Sequence, residues 1–460
     1  MSLIKSISGI RGTIGGGVGD SLTPLDVVSF SAAYAWWLQQ NSSTNKVVIG
    51  RDTRISGPIV QELIMTTLQL SGIDVLDAGL STTPSIELAV TREQACGGII
   101  VSASHNGMEW NALKFLNEKG EFISESAGAS ILDAAANLDL DFADIESLGH
   151  RSELSDVIEQ HIDSILKLPD VKNNEVRNRG FRVAVDCINS TGSISIVPLL
   201  RKLGCEVVPL HDDMSGRFAH DPEPLESNLA DLIKVVKDKD CDLGLAVDPD
   251  VDRLAFVSED GSFFGEEYTI VALADYLLAE RGGYTVSNLS STQALRDVTE
   301  KHGGTYVASS VGEVNVVEKM KEVQAVFGGE GNGGVIYPAL HYGRDALVGV
   351  ALFLSHLCRS NQTPSQLRQT YPDYHISKKK IQLSNEMDPD QIIKMISDQY
   401  PQQEKIAIDG LKLIFDNEWV HLRKSNTEPI IRVYAESSDE ARASRLANQF
   451  IQNIQTCLDQ

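Results

Sequence analysis

The feature that most constrains this chain is a repeated order of short β-branched runs, glycine-containing turns and amphipathic stretches. Residues 46–51 read as a buried strand, and residues 58–71 follow with apolar side chains at helical spacing. The same alternation recurs with strand patterns at 97–101, 180–186, 205–210, 241–247 and 284–287 and helical patterns at 193–203, 225–237 and 268–281. It predicts βαβ units, in which parallel or mixed sheets carry helices on both faces.

The pattern changes beyond Tyr371, where alternating strands and one closing helix predict an α+β module. Those strands are expected near 376–383, 410–415, 418–423 and 430–436, and the helix at 438–456. The sequence therefore predicts three α/β domains and a C-terminal α+β domain, with ranges 1–153, 154–257, 258–372 and 373–460. Since ligands bind at the carboxyl ends of such strands, we expect the loops there to carry the chemistry and to meet in a central cleft.

Charge and cysteine usage exclude several classes of protein. The 460 residues include 40 Lys+Arg and 64 Asp+Glu, giving a net charge of −24, which disfavours nucleic acid as a partner. Apolar runs stay shorter than the ~18 residues of a membrane span, and the N-terminus has no apolar signal segment. The six cysteines are scattered without a CxxC pair. This usage predicts reduced thiols in a cytoplasmic protein.

A candidate nucleophile follows the strand at 97–101. The segment Ser102-Ala-Ser104-His105-Asn106 contains small and polar residues, which permit a tight turn and expose a hydroxyl. His105 and Asn106 are candidate polar partners of that hydroxyl, and a structural turn with a capping serine is the alternative. Because the Gly-x-Ser-x-Gly pattern is missing, the sequence does not indicate a serine hydrolase.

Three carboxylates follow the strand at 241–247, in Asp248-Pro-Asp250-Val-Asp252-Arg253. Alternate residues of an extended segment point to one side, so these carboxylates repel each other unless a cation lies among them. Their oxygen atoms favour Mg²⁺ over zinc or copper. An EF-hand is disfavoured because Arg253 occupies the position that requires glycine, and a solvated acidic turn remains the alternative.

A glycine-rich loop, Phe327-Gly-Gly-Glu330-Gly-Asn332-Gly-Gly, presents one carboxylate and one amide with little steric cover. Such side chains suit the vicinal hydroxyls of a sugar. The loop matches neither the GxGxxG nor the Walker A pattern. A purely structural turn is the alternative.

A basic loop between two predicted strands suits a phosphate. Arg423-Lys-Ser425-Asn426-Thr427 supplies charged and neutral donors, and Arg432 follows shortly after. A hairpin turn with surface charges is the alternative. Taken together, the four loops describe metal-assisted phosphoryl transfer on a sugar phosphate, which requires positioning and charge neutralisation.

The four motifs, in this order, resemble those of the α-D-phosphohexomutases, and the resemblance covers essentially the whole chain. Supporting matches are Ser8-Gly-Ile-Arg11-Gly, Gly50-Arg-Asp-Thr-Arg54, Asn111-Ala-Leu-Lys114, residues 185–192 and Asp221-Pro-Glu-Pro-Leu. The resemblance implies four α/β or α+β domains around a central cleft. It also implies Mg²⁺ as cofactor, a hexose 1,6-bisphosphate as activator, and a monomer or homodimer that binds neither nucleic acid nor membrane.

The resemblance assigns roles to individual residues. It implies the catalytic residues Ser104 (as phosphoserine), Lys114 (as general acid/base), Arg11 and His105, and a metal site formed by Ser104, Asp248, Asp250 and Asp252. It implies sugar-phosphate contacts from Arg253, Glu330, Asn332, Arg423, Ser425, Asn426, Thr427 and Arg432. We expect neighbouring cations to lower the pKa of Lys114.

The implied activity is interconversion of a hexose 6-phosphate and 1-phosphate through a bound 1,6-bisphosphate, with glucosamine preferred and mannose or glucose as the alternative. Two sequence features depart from the family pattern. Gly334 occupies a position where many bacterial members have histidine, and His341 is a candidate to replace that histidine in the site. Asn426 occupies a position where glucosamine-type members more often have glycine. A non-catalytic sugar-phosphate sensor and a calcium-binding structural protein, suggested by the Asp248–Glu259 spacing, are alternatives from other classes.

Overall fold

The computed structural model describes residues 2–6, 9–137, 140–383, 388–425 and 429–458. They form two compact units, one of Met1–Tyr276 with Asn332–Arg368 and one of Leu277–Gly331 with Gln369–Gln460. The predicted succession of mixed α/β sheets and a C-terminal antiparallel α+β domain is confirmed. The four domain ranges stay predictions.

The first sheet of the first unit is mixed. Its strands are β1 (Ile4–Ser6), β2 (Gly9–Thr13), β3 (Lys46–Arg51), β4 (Asp74–Leu80), β5 (Gly97–Val101), β6 (Trp110–Leu116) and β7 (Arg151–Glu153), and its helices are α1 (Pro24–Asn41), α2 (Gly57–Leu70), α3 (Thr83–Arg92) and α4 (Glu125–Asn137). The strand order is β1-β2-β6-β5-β3-β4-β7. Strand β3 pairs in parallel with β4 and β5, whereas β6 is antiparallel to β2 and β5. Strand β5 is buried along its whole length, as expected for a strand covered on both faces.

A second sheet in the same unit positions the acidic loop. It contains β8 (Arg182–Asp186), β9 (Glu206–Leu210), β10 (Leu243–Val247) and β11 (Leu254–Ser258), with helices α5 (Val157–Leu166), α6 (Asn173–Arg179), α7 (Gly192–Lys202) and α8 (Ala230–Asp238). Strand β8 pairs in parallel with β9 and β10, and β11 is antiparallel to β10. The side chains of β10 are all buried, so the chain leaves the sheet at Val247 from a rigid, apolar base.

The next part of the chain repeats the α/β order. Its elements are α9 (Glu266–Arg281), β12 (Tyr284–Asn288), α10 (Ala294–Lys301), β13 (Thr305–Ser309), α11 (Glu313–Val323), β14 (Phe327–Glu330), β15 (Gly334–Ile336), α12 (Ala346–Ser360) and α13 (Pro364–Arg368). In the second unit, β12 pairs in parallel with β13 and β14. Helix α12 is in the first unit and is buried on nearly all sides. The Asp345 carboxylate caps it by accepting from the Leu347 and Val348 amides.

The C-terminal part of the second unit is an antiparallel sheet with two helices. Its elements are β16 (His375–Gln382), α14 (Pro389–Gln399), β17 (Glu404–Ile406), β18 (Leu411–Ile414), β19 (Trp419–Lys424), β20 (Ile430–Ser437) and α15 (Glu440–Leu458). The strand order is β16-β20-β19-β18-β17. Apolar residues of α14 and α15, including Ile396 and Phe450, pack on one face of this sheet. Across the described ranges of both units, no helix is both long and apolar enough to cross a membrane.

Candidate active site

The serine loop leaves the first sheet at the end of β5. Ser104 has φ 49°, a left-handed conformation that residues other than glycine rarely adopt. Its amide donates to the Ser102 hydroxyl at 2.9 Å, which holds the turn. The Ser104 hydroxyl donates to Asp248 Oδ2 at 2.5 Å and lies 3.3 Å from His105 Nδ1. The loop therefore fixes this hydroxyl against the acidic loop of the second sheet.

A buried arginine holds the serine loop in position through hydrogen bonds to its backbone. Arg54 pairs with Asp52 (Nε to Oδ2, 2.9 Å) and donates to the carbonyl oxygens of Ser104 at 2.5 Å and Asn106 at 2.7 Å. The Asp52 carboxylate also accepts from the Ser102 hydroxyl at 2.7 Å. The sequence marked Arg54 as part of a motif but gave it no role, because its hydrogen bonds go to backbone carbonyls that side-chain patterns do not reveal.

The acidic loop gathers three fully buried carboxylates after β10. Asp248 Oδ1 accepts from the amides of Asp252 at 3.0 Å and Arg253 at 3.1 Å, which folds the loop back on itself. One oxygen from each of Asp248, Asp250 and Asp252 lies within 4.8 Å of the others. The structure thus brings together the residues predicted as metal ligands.

In both Asp250 and Asp252, neighbouring side chains donate hydrogen bonds to Oδ2 but not to Oδ1 within the described residues. Asp250 Oδ2 accepts from the Thr83 hydroxyl and from Lys114 Nζ, each at 2.6 Å, and Asp252 Oδ2 accepts from Arg344 at 2.7 Å. Within the described residues, Asp250 Oδ1 and Asp252 Oδ1 are buried without a hydrogen-bond partner. A buried, unpaired oxygen is costly, so this all-oxygen set fits a hard divalent cation such as Mg²⁺.

The carboxylates differ in protonation behaviour. Burial, together with the neighbouring charges of Asp252 and Asp250, raises the pKa of Asp248 well above its usual value. Burial acts in the same direction on Asp250, but Lys114 and Thr83 outweigh it and lower the pKa of that carboxyl. One carboxylate that favours its proton beside one that does not is what mutual repulsion between close carboxylates produces.

The expected lowering of the Lys114 pKa is wrong. Burial does act to lower it, but the carboxylates of Asp250 and Asp252, at 2.6 and 3.5 Å from Nζ, outweigh burial and raise the pKa. Lys114 is therefore charged at neutral pH. From the sequence, we expect Lys114 to lie near cations and do not predict its contact with the acidic loop. That contact joins residues more than a hundred positions apart.

Three arginine charges act on His105. Burial, followed by the charges of Arg253, Arg11 and Arg344, lowers the pKa of His105 to about 2. Burial and the charges of Arg253 and Arg344 also lower the pKa of Arg11, which donates a hydrogen bond to Asn106 Oδ1 at 3.3 Å. In a chain of net charge −24, the convergence of these positive charges close to the Ser104 hydroxyl favours an anion there.

Arg344 is a site residue that the sequence analysis missed. A Cβ atom on Gly334 would lie 2.4 Å from Arg344 Cδ, so the glycine leaves room for the arginine side chain on its way to Asp252. The departure at Gly334, with an arginine ten residues later, was the available signal. His341 does not take that place, because it contacts Glu87 Oε2 at 3.3 Å and Asp345 Oδ2 at 3.2 Å.

The glycine-rich loop is divided between the units. Glu330, in the second unit, is buried, and its Oε1 accepts from Asn288 Nδ2 at 2.9 Å and the Gly312 amide at 3.3 Å. Asn332 belongs to the first unit and accepts from the Gly334 amide at 3.1 Å. Glu330 is therefore held in a fixed position at the end of β14.

The basic loop of the second unit places two arginines side by side. Arg423 on β19 and Arg432 on β20 are direct cross-strand partners, and Arg423 Nε lies 3.5 Å from Asp409 Oδ2. Arg432 Nε is buried and lacks a hydrogen-bond partner among the described residues. Ser425 closes the hairpin by donating its amide to Ile430 at 3.1 Å. Asn426 and Thr427 lie outside the described residues.

Known proteins resemble this chain over nearly its whole length. The phosphoglucomutase/phosphomannomutase α/β/α domains I, II and III match residues 3–141, 159–261 and 265–374, and the C-terminal domain matches residues 379–453. A "Phosphoglucomutase/phosphomannomutase" of Thermococcus kodakarensis is 33% identical over 440 residues, covering 95% of this chain and 94% of the relative. A "Phosphoglucosamine/phosphogalactosamine mutase" of Sulfurisphaera tokodaii is 30% identical over 458 residues, covering 98% of each.

A solved structure shows the same fold. A phosphoglucomutase/phosphomannomutase family protein from Burkholderia thailandensis has a TM-score of 0.86 and 25% identity, covering 98% of this chain and 97% of that one. With four matching domains and full-length relatives at 30% identity or more, this chain belongs to the phosphoglucomutase/phosphomannomutase family of α-D-phosphohexomutases and is an isomerase of the mutase type.

Proposed function

We propose that this enzyme interconverts glucosamine 6-phosphate and glucosamine 1-phosphate through a phosphoserine at Ser104. The observation that carries the proposal is the Ser104 hydroxyl, held 2.5 Å from a buried Asp248 carboxylate, with the charges of three arginines acting on the neighbouring His105. A phosphoryl group on Ser104 would meet both parts of this arrangement. Its negative charge suits the arginines, and its oxygens suit a cation held by the acidic loop.

Each half-reaction exchanges one phosphorus–oxygen bond for another. The phosphoryl group leaves Ser104 Oγ and bonds to the free sugar hydroxyl, which gives a 1,6-bisphosphate. After the sugar turns over, the phosphate at the other end returns to Oγ. In the first half-reaction the sugar hydroxyl loses a proton and Oγ gains one, and in the return step Oγ loses a proton and the sugar oxygen gains one. We assign both transfers to Lys114, whose raised pKa keeps Nζ protonated before the reaction.

The acidic loop would hold Mg²⁺ through Asp248, Asp250 and Asp252, since two of their buried oxygens lack partners in the described chain. A bound Mg²⁺ supplies charge neutralisation to the phosphoryl group in transfer. The protein's own contribution is orientation: Thr83 and Lys114 fix Asp250, and Arg344 fixes Asp252. Arg11 and Arg253 bind the transferring group, and His105 shapes the serine loop as a neutral ring.

Groups of the second unit suit the remainder of a sugar phosphate. We assign Glu330 to sugar hydroxyls, with Asn332 of the first unit as a second such group. Arg423, Ser425 and Arg432 are assigned to the phosphate that is not in transfer, and the roles of Asn426 and Thr427 there stay predictions from the sequence. Within the part of the chain that the structure describes, the buried Arg432 Nε has no hydrogen-bond partner, which supports an anion at this position.

The choice of glucosamine rests on the overall motif set and on relatives named for it, whereas the Thermococcus relative is named for glucose and mannose phosphates. The test is to incubate the protein with Mg²⁺, a trace of hexose 1,6-bisphosphate and, separately, the 6-phosphates of glucosamine, glucose and mannose. Phosphorus NMR follows the 1-phosphate. A rate dominated by glucosamine is expected, and comparable glucose and mannose rates would select the alternative substrates.

Replacement of the nucleophile separates an enzyme from a sugar-phosphate sensor. Ser104→Ala should lower turnover by more than about 10³-fold, because no oxygen remains to carry the phosphoryl group. Sugar-phosphate binding, measured by calorimetry, should persist. The exposed Ser147→Ala is the control and should keep full turnover. Full turnover in the Ser104 variant would refute the phosphoserine, and wild-type protein that binds but never turns over would favour the sensor.

A further inference from the structure

We propose that Asp186, His211 and His220 form a second metal site, which binds Zn²⁺ and is separate from the acidic loop. Asp186 ends β8, His211 directly follows β9, and His220 lies in the loop beyond, all in the first unit. One donor atom from each of the three side chains lies within 4.8 Å of the other two. The proposed mutase reaction assigns no role to these residues.

The spacings between each histidine and the aspartate are close to those of a tetrahedral site. His211 Nδ1 lies 3.1 Å from both carboxylate oxygens of Asp186, and His220 Nε2 lies 2.9 Å from Oδ2. The two rings meet edge to face, with centroids 5.5 Å apart. Ligands at about 2.0–2.1 Å from a tetrahedral Zn²⁺ are about 3.3 Å from one another. The two histidine–aspartate spacings need to lengthen by only a few tenths of an ångström to admit the ion, and the two ring nitrogens lie within 4.8 Å of each other.

The outward-facing ring nitrogens provide an independent observation. His211 Nε2 lies 3.5 Å from Asp231 Oδ2, and His220 Nδ1 lies 2.8 Å from the Asp221 carbonyl oxygen. Metal-binding histidines nearly always donate the second ring N–H to a carboxylate or a backbone carbonyl, which fixes the tautomer and the ring orientation. His220 has such a hydrogen-bond partner and His211 has a longer contact of this kind to an exposed carboxylate, and the other ring nitrogen of each histidine faces Asp186.

The donor set selects a transition ion over Mg²⁺. Two imidazole nitrogens and one carboxylate suit Zn²⁺, whereas the acidic loop offers oxygen alone. The His211 and His220 side chains retain 21% and 19% exposure, which leaves a path for the ion and a position for water as fourth ligand. Each ring binds the ion through the nitrogen that faces Asp186 and keeps a proton on the other nitrogen, so a ring that is doubly protonated releases one proton to solvent on binding.

Metal binding here would fasten the 211–223 loop to the second sheet. Asn189 Nδ2 already donates to the Arg217 carbonyl in this loop at 2.8 Å. At its far end, Glu223 Oε1 accepts from Arg253, next to the acidic loop, at 2.9 Å. An ion bound to both His211 and His220 would tie the two ends of the intervening chain to Asp186 and restrain the segment that carries Glu223.

The test is a calorimetric Zn²⁺ titration of the full chain, stripped of metal by a chelator and dialysed into excess Mg²⁺ to occupy the acidic loop. One Zn²⁺ per chain is expected. H211Q and H220Q should each weaken binding by more than about 100-fold, and D231N, which removes an outer partner, by about 10-fold. H375Q, at an exposed histidine 3.7 Å from Asp373, is the control and should bind as wild type does.

Amide hydrogen exchange provides a second measurement of Zn²⁺ binding in case a histidine variant fails to fold. Zn²⁺ should slow amide exchange across residues 211–223 of the wild type and leave that of H220Q unchanged. Absence of Zn²⁺ binding by the wild type, or wild-type affinity in both histidine variants, would overturn the proposal and make the cluster an ion-pair network. Mutase turnover is not measured, so failure of this site leaves the proposed function untouched.

Discussion

At the residue scale, Arg344 and Gly334 act as a pair. The arginine holds Asp252 Oδ2 at 2.7 Å, which leaves Oδ1 of the same carboxylate directed into the acidic loop. The side chain fits only because position 334 has no Cβ, which would lie 2.4 Å from Arg344 Cδ. We infer that Arg344 is a positioning residue, acting on the metal through Asp252.

This inference predicts a specific pattern of variants. Arg344→Gln should lower kcat/KM and raise the Mg²⁺ concentration needed for half-maximal rate, each by about 10- to 100-fold, as is usual when an outer partner of a metal ligand is lost. Gly334→Ala should give a smaller loss of the same kind, because the new methyl group displaces the arginine. Steady-state kinetics over a Mg²⁺ series measures both.

Two comparisons check that the effects share one cause. Gly17→Ala adds a methyl group whose nearest contact is Asp20 Oδ2 at 3.6 Å, and it should change neither parameter. The double variant at 334 and 344 should be no worse than Arg344→Gln alone, since displaced and absent arginines are equivalent. Additive losses in the double variant would show that Gly334 acts independently of Arg344.

Sequence reasoning located site residues that are neighbours along the chain. Ser104 with His105, and the three aspartates of the acidic loop, could be predicted because each set lies in one short loop after a strand. Partners that come from distant segments were missed: Arg344 lies 92 positions from Asp252, and the Arg54 guanidinium binds backbone carbonyls about 50 positions away. Such pairings depend on packing between elements, which local patterns do not contain.

At the element scale, the 211–223 loop supports the serine loop from a different sheet. Gly216 has φ 68°, and a Cβ there would lie 2.0 Å from the Thr53 carbonyl oxygen. Phe218 in the same loop packs against the Arg54 guanidinium, whose centre lies 5.0 Å from the ring centroid. Because Arg54 holds the carbonyl groups of the serine loop, the close approach at Gly216 contributes to the position of Ser104.

Gly216→Ala should therefore cost both stability and turnover. Gly180→Ala is the matched control, because Gly180 has a similar φ of 63° but open space around it. The control should lose about 1–2 kcal/mol from backbone strain alone and keep its activity. Gly216→Ala should lose more, since a backbone carbonyl cannot move aside cheaply, and its kcat should fall. Urea unfolding and mutase assays measure these effects; equal unfolding free energies in the two variants would contradict the steric argument.

Periodicity predicted many of the elements, and its failures have a physical reason. The helix expected at 58–71 is α2 (Gly57–Leu70), and the helix expected at 268–281 is the greater part of α9 (Glu266–Arg281). Strands β5 and β10 were found because they are short apolar runs followed by small or acidic residues. Strand β6 was not, although it carries Lys114, because its identity depends on antiparallel pairing with β2 and β5.

At the scale of the whole molecule, net charge does not reveal where an individual anion binds. The value of −24 argues against polyanionic partners, yet Arg11, Arg253 and Arg344 are close enough for each to act on the pKa of His105. Composition averages over the surface, whereas an anion site depends on a few charges that the fold brings together. The position of the arginines along the chain could not reveal this convergence.

A second buried charge network links three helices of the first unit. His161 on α5 lies between Ser85 on α3 and the capping Asp345 of α12, with hydrogen bonds of 2.9 Å to each. His341 joins Asp345 to Glu87. Burial disfavours the charged forms of His341 and Asp345, but their hydrogen-bond partners outweigh it. Hydrogen bonds to Asp345 and Glu87 raise the pKa of His341 to about 10. His161 and His341 lower the pKa of Asp345.

This network makes stability depend on pH in a definite direction. His341 contributes fully below its unfolded pKa of about 6.5, and the contribution declines as the pH rises toward the folded pKa. Asp345 contributes above its unfolded pKa of about 3.9, and loses that contribution as the pH falls below it. Stability from the network is therefore greatest between about pH 4 and about pH 6.5 and decreases on the alkaline side.

His341→Gln tests this dependence. The variant should lose about 3 kcal/mol or more near pH 6, because it leaves the Asp345 and Glu87 charges buried with one partner fewer. The loss should be smaller near pH 9.5, where the wild-type histidine has itself lost most of its advantage. Denaturant unfolding at both pH values, with the exposed His375→Gln as control, measures the difference. An equal loss at the two pH values would mean that His341 stabilises the fold by packing and not by its charge.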